Sequence, residues 1–257
     1  MSAWRRIAAA CALLAIAGCA GIKEPDNAGS PPRPSTVASS TPASTPTPQD
    51  PVLSPLPGEV LELDQHGPEY VFTKAGRYAV RLTPELVYEV DAPDMWEVYR
   101  GRYFSTSDFS GGTGIFSVTG PVPDVWLPAH PCRDRAAVPV GGTARELADS
   151  LSTQPALEVT RPEPVSIAGG HGVYVEVSIS SRINSAACQG GLVALFTSER
   201  RPPDWWALQS GEMAAYWILG LDSQRWIVAG VCDNTCTDAD LEVLAGMAES
   251  VTFEREN

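Results

Sequence analysis

Basic residues are what this sequence is shortest of: Lys and Arg number 18 against 31 Asp and Glu, and no Lys/Arg-rich run occurs. A net charge of −13 repels nucleic acid, and basic residues spread this thinly build no local patch to overcome it. Histidine is scarce as well, with only His66, His130 and His171. No His-Glu-x-x-His helix, Gly-x-Ser-x-Gly elbow, Ser-x-x-Lys pair or phosphate-cradling glycine loop behind a strand is present, so no familiar hydrolase or nucleotide signature stands in the chain. The apolar run Ile7 to Ala17 holds about eleven residues where a membrane-spanning helix needs roughly twenty.

That run nevertheless has a clear reading. Arg5 and Arg6 precede it and small residues follow it into Cys19, which is the layout of an export signal. Ile16-Ala17-Gly18-Cys19 resembles the lipobox of bacterial lipoprotein signal peptides: aliphatic, small, small, cysteine. The resemblance implies cleavage of residues 1–18, lipidation of Cys19, and anchoring to membrane lipid on the extracytoplasmic face. Acyl chains contribute about 0.8 kcal/mol per buried methylene, so two hold stably where one is marginal. Arg5-Arg6 lacks the surrounding twin-arginine consensus, which leaves general secretion. Cleavage removes two arginines and no acid, taking the net charge from −13 to −15.

Residues 25–57 hold ten prolines and ten Ser/Thr among 33 positions and show no hydrophobic period. Such a composition buries too little apolar area to offset the entropy of ordering. Residues 19–58 are therefore expected to form a lipidated cysteine and a disordered, polyproline-leaning linker that stands the rest of the chain off the membrane.

From Glu59 to Asn257, aromatic and β-branched residues alternate with polar ones between Gly, Pro and Asp. The pattern predicts strands at 77–82, 85–90, 95–104, 114–119, 172–180, 192–198, 213–221 and 225–231, with a tight hairpin at Asp222-Ser223. Helices are expected at 143–152, with Leu147 and Leu151 one turn apart, and at 238–249 behind a Thr237 cap. The fold class these imply is α+β: a mainly antiparallel sheet sandwiched by helices, a single domain after a disordered tether.

Trp96 at a strand start, Pro164-Val165-Ser166-Ile167-Ala168-Gly169-Gly170 running into a long strand, Arg225-Trp226-Ile227-Val228-Ala229, and a last helix ending Glu249-Ser250-Val251-Thr252-Phe253 together resemble one family. It is that of actinobacterial cell-surface lipoproteins with a PsbP/Mog1-like (LpqN-like) domain, a family of unknown function. The resemblance spans about residues 77–253. It implies architecture and surface location, and brings no catalytic residues.

Besides Cys19 the mature chain has Cys132, Cys188, Cys232 and Cys236, an even count that reads first as disulfides in an exported protein. Of three possible pairings, Cys132–Cys188 with Cys232–Cys236 is favoured. A zinc set using His130 lacks two ligand pairs at usual spacing, and Cys232-x3-Cys236 is not a redox Cys-x-x-Cys, so neither metal nor cofactor is expected.

His130 lies near Cys132 and Asp134, but nearness in sequence is not geometry. The candidate recognition feature is Arg200-Arg201-Pro202-Pro203-Asp204-Trp205-Trp206, whose Trp and Arg have hot-spot composition. Its competitor is that at least one ring plugs the end of the sandwich, since Trp is highly buried on average. The function these features predict is a lipid-anchored, non-enzymatic binding or accessory domain for an envelope or extracellular partner. The alternative is an envelope hydrolase using His130 or His171 with nearby acids.

Overall fold

Two runs near the end of the chain, Tyr216-Trp217-Ile218-Leu219 and Trp226-Ile227-Val228-Ala229, are apolar at every position, whereas a strand with one wet face alternates. Both faces of this part of the sheet must therefore be covered. The structure, a computed structural model, describes residues 52–64, 66, 69–109, 112–132, 134–198, 206–234 and 236–255. In chain order the elements are β1 (Val52–Leu53), β2 (Val60–Leu63), β3 (Tyr70–Thr73), β4 (Gly76–Thr83), β5 (Leu86–Ala92), β6 (Glu97–Tyr99), β7 (Tyr103–Phe109), β8 (Gly112–Thr119), β9 (Val125–His130) and β10 (Asp134–Val140). Helix α1 (Ala144–Ser152), β11 (Leu157–Val159), β12 (Glu163–Ile167), β13 (Gly170–Ile179), β14 (Val193–Phe196), β15 (Trp206–Leu208), β16 (Met213–Leu221), β17 (Gln224–Cys232), α2 (Asp238–Ser250) and β18 (Thr252–Arg255) follow.

Strands dominate, and among the described residues they form several sheets and no barrel. A ten-stranded sheet runs β1-β3-β6-β7-β8-β17-β16-β13-β11, with β12 also paired to β13. A four-stranded sheet runs β18-β5-β4-β2, and β9-β10 and β14-β15 make two ribbons. Pairing is antiparallel except for β1 with β3 and β2 with β4. All of these elements belong to one compact unit of the chain, Pro48–Asn257.

The two apolar runs alternate between two cores. Ala215, Trp217, Leu219, Trp226 and Val228 face a cluster shared with Tyr78 and Val80 of β4, Tyr88 and Val90 of β5, and Leu244, Met247 and Ala248 of α2. Ala214, Tyr216, Ile218, Ile227 and Ala229 face the other way, against Leu147, Ala148 and Leu151 of α1, Leu127 of β9 and Leu195 and Phe196 of β14. Each fully buried Leu, Ile, Val or Phe side chain among them contributes about 1.5–3 kcal/mol. Where the sequence pattern gave the covering layers to helices, strands do much of the covering.

Other differences have local causes. The strand expected over 95–104 is two strands, because Arg100 and Gly101 take φ of 48° and 60° and turn the chain so that Tyr99 pairs with Tyr103. Within the span 19–58 expected to be linker, Val52 and Leu53 pair with Phe72 and Thr73 of β3. Lys74 N donates to the Leu53 carbonyl at 2.8 Å, and the Tyr78 hydroxyl donates to the same oxygen at 3.1 Å.

Helix α1 starts where expected because Thr143 caps it. Its hydroxyl accepts from Glu146 N at 3.1 Å, and Glu146 Oε2 accepts from Thr143 N at 2.9 Å, a reciprocal capping box. The Thr143 backbone N–H first, and its hydroxyl second, hold the Glu146 carboxyl below the usual carboxylate range. Thr143→Ala is expected to lower the unfolding free energy by about 1 kcal/mol at neutral pH in urea titration. The folded-state pKa of Glu146 is depressed, so its share of the cap is present above the ordinary carboxylate pKa and lost as pH falls through the lowered one. The difference between wild type and variant should accordingly shrink on acidification.

Candidate functional site

Cys132, in the turn between β9 and β10, bridges to Cys188, with a Cα–Cα distance of 4.3 Å. Cys232, buried at the end of β17, bridges to Cys236 just before α2 with 6.0 Å between Cα atoms. Cys132 therefore offers no thiol to His130, which is exposed at the end of β9. Among the described residues no group of three or more His, Cys, Asp or Glu is placed to hold a metal, and no helix is long and apolar enough to cross a membrane.

Trp206 stands in β15, half-buried, with its ring stacked on Phe196 at 5.3 Å and edge-on to Tyr216 at 6.3 Å. The ring thus packs, partly buried, against the core cluster that holds Phe196 and Tyr216. Arg200, Arg201, Trp205, Cys19 and the signal segment lie outside the described residues. No histidine side chain is bonded to a carboxylate among the described residues. His171, at the start of β13, instead has its Nδ1 2.8 Å from the hydroxyl of Ser166, its cross-strand partner on β12.

His171 also opens onto a cleft of about 420 Å³, formed where the start of α1, the start of β13 and the β16–β17 turn meet. The lining includes Thr143, Ala144, Arg145, His171, Ser223 and Arg225, and among the described residues no Asp or Glu belongs to it. Each wall is fixed by local chemistry. The turn is tight because Asp222 and Ser223 both take positive φ, 50° and 61°, which matches the twist of the flanking strands. Gly172 in the floor admits no side chain, since a Cβ there would lie 1.8 Å from the Ile218 carbonyl oxygen.

Arg225 is the least expected member. It is 2 % exposed, and its guanidinium donates to the carbonyls of Gly141 at 2.6 Å, Thr143 at 3.3 Å and Pro123 at 3.4 Å. Its Nε is buried without a hydrogen-bond partner. Burial pulls its pKa below the ordinary guanidinium value while Glu146 and Asp124 act in the opposite sense. No carboxylate touches it among the described residues. Neither a protein-family model nor a curated protein matches this chain. The site is therefore read from its own geometry.

The sequence pattern flagged His171 and the Gly-Gly-Thr helix start but not their union with Arg225. The available signal was a single charge in an otherwise apolar strand, Arg225-Trp226-Ile227-Val228-Ala229. An arginine so placed is either at a strand end in water or buried for a purpose, and only the fold decides.

Proposed function

We propose that this chain is an exported lipoprotein, with a signal peptide over residues 1–18, a lipidated Cys19 in the extracytoplasmic face of a membrane, and a Pro/Ser/Thr-rich spacer. Its folded part is a single α+β sandwich domain acting as a non-enzymatic binding or accessory module for an envelope or extracellular partner. The lipobox-like Ile16-Ala17-Gly18-Cys19 supports the anchor, and two bridges suit an oxidising compartment. The observation that carries the binding role is the cleft beside α1. It is ligand-sized, helix α1, strands β13, β16 and β17 and the turn between the last two wall it, and among the described residues it holds no nucleophile, base and orienting acid in hydrogen-bonded series.

A second reading, an envelope hydrolase, keeps one observation in its favour: the contact between the Ser166 hydroxyl and His171 Nδ1 at 2.8 Å. It predicts ester or amide turnover that Ser166→Ala abolishes. The binding reading predicts no turnover, and intact mass of the membrane-extracted chain that begins at Cys19 with a lipid-sized increment. An unlipidated chain overturns the anchor, and Ser166-dependent turnover overturns the binding module.

A further inference from the structure

We propose that the cleft between the start of α1 and the β16–β17 turn binds an oxyanion of the phosphate class carried on a small neutral body. The inference rests on the binding-module reading and names the chemistry of its ligand.

The argument begins with the backbone. An α-helix leaves its first four N–H groups without intrahelical partners, which in α1 are those of Thr143, Ala144, Arg145 and Glu146. The capping box satisfies two of them, Thr143 and Glu146, through each other's side chains. The amides of Ala144 and Arg145 have no partner among the described residues, and both residues line the cleft. Unpaired amides at a helix start, backed by the positive end of the helix dipole, bind oxyanions directly.

The second observation is independent of the helix. Arg225 lines the same cleft, buried, with its Nε unpartnered and only carbonyl oxygens around its guanidinium. A buried charge without a contacting counter-ion is costly. Glu146, turned onto the Thr143 cap, and Asp124 compensate it only from a distance. An anion in the cleft supplies the missing charge. The carbonyls that Arg225 holds, Gly141 and Thr143, belong to the segment that leads into α1, so the cation also fixes the helix start.

The rest of the lining agrees. Arg145 adds a cationic donor and His171 a ring nitrogen, and within a chain of net charge −13 the cleft lining has no acid among the described residues. Arg145 is bonded to Asp149 at 3.1 Å, an exposed pair of the kind worth little and readily exchanged for a ligand. The volume of about 420 Å³ exceeds one phosphate, and Gly142, Gly172, Val173 and Gly220 offer neutral surface for what the phosphate is attached to.

The test uses the full-length protein in calorimetric titration with inorganic phosphate, glycerol phosphate and glycerol. Saturable binding of phosphate is expected, with glycerol phosphate binding more tightly as a phosphoester such as a lipid headgroup should, and equal binding of the two overturns the neutral body. Arg225→Met risks the fold, so Ala144→Pro is the decisive variant. Proline is favoured at the first helical position, and Thr143 is already extended with ψ of 159°, as a residue before proline must be. The variant deletes one amide donor and leaves the helix, so phosphate affinity should fall about tenfold with an unchanged melting curve. Arg145→Gln should weaken binding by a similar factor. No saturable phosphate binding, or binding that both variants leave intact, overturns the inference. Glycerol binding without phosphate binding overturns the inference and spares the binding module, whereas Ser166-dependent turnover of glycerol phosphate overturns both.

Discussion

Replacing both Cys132 and Cys188 by serine should lower the unfolding free energy by about 4 kcal/mol. The bridged residues are 56 apart in sequence, and cross-linking a loop that long removes roughly 4 kcal/mol of conformational entropy from the unfolded chain. The bridge joins the β9–β10 turn to the short helical turns after β13, beside the backbone bond from Ala194 N to the Pro131 carbonyl at 3.2 Å. The Cys232–Cys236 bridge closes a loop only four residues on, so its removal should cost nearer 2 kcal/mol. Urea unfolding of the two double variants gives the comparison directly. Equal midpoints would show that loop length is not what matters here.

Trp226→Ala should cost a comparable 3–5 kcal/mol. The ring is 2 % exposed, lies 5.0 Å from the Phe253 ring of β18, and fills the space over Gly120, where an added Cβ would come within 2.3 Å of it. It therefore joins the large sheet, the small sheet and the segment after β8. Truncation leaves a cavity that three rigid elements cannot close together. Thermal unfolding of Trp226→Ala beside Trp226→Phe separates cavity size from loss of aromatic contact, and the phenylalanine variant should recover more than half of the loss.

The core was the legible part of the sequence. Tyr216 to Leu219 and Trp226 to Ala229 read as strands joined by a tight turn because their apolar runs are unbroken and Asp222-Ser223 tolerates positive φ. The ribbon β9-β10 was not legible, since Pro128 and Pro139 within it and Pro121, Pro123 and Pro131 around it argue against a sheet interior. A two-stranded ribbon leaves every strand an outer edge, where a missing N–H is harmless. The split of 95–104 turned on positive φ at Arg100, which no propensity scale assigns to arginine.

The cleft was hidden for a different reason. Its walls come from residues 142–145, 171–173, 220 and 223–225, which the pairing of β13 with β16 and of β16 with β17 helps bring together. Arg225 in sequence is one more charge near a hairpin. Its burial depends on the carbonyls of Gly141, Thr143 and Pro123, which lie about 80 to 100 residues earlier.

The two-residue pairing of β1 with β3 also has a mechanical meaning. Any pull that arrives along the chain from the N-terminal side of Val52 loads this pairing first, before it reaches the long ladders of β13, β16 and β17. Val52 and Leu53 hold by two register pairs, the contacts of one carbonyl and the packing of Leu53 against the core shared by β4 and β5, so they should give way before the longer ladders. Under such a load the strand would give way first, freeing a few residues of chain before the force reaches β2 and the elements around the cleft.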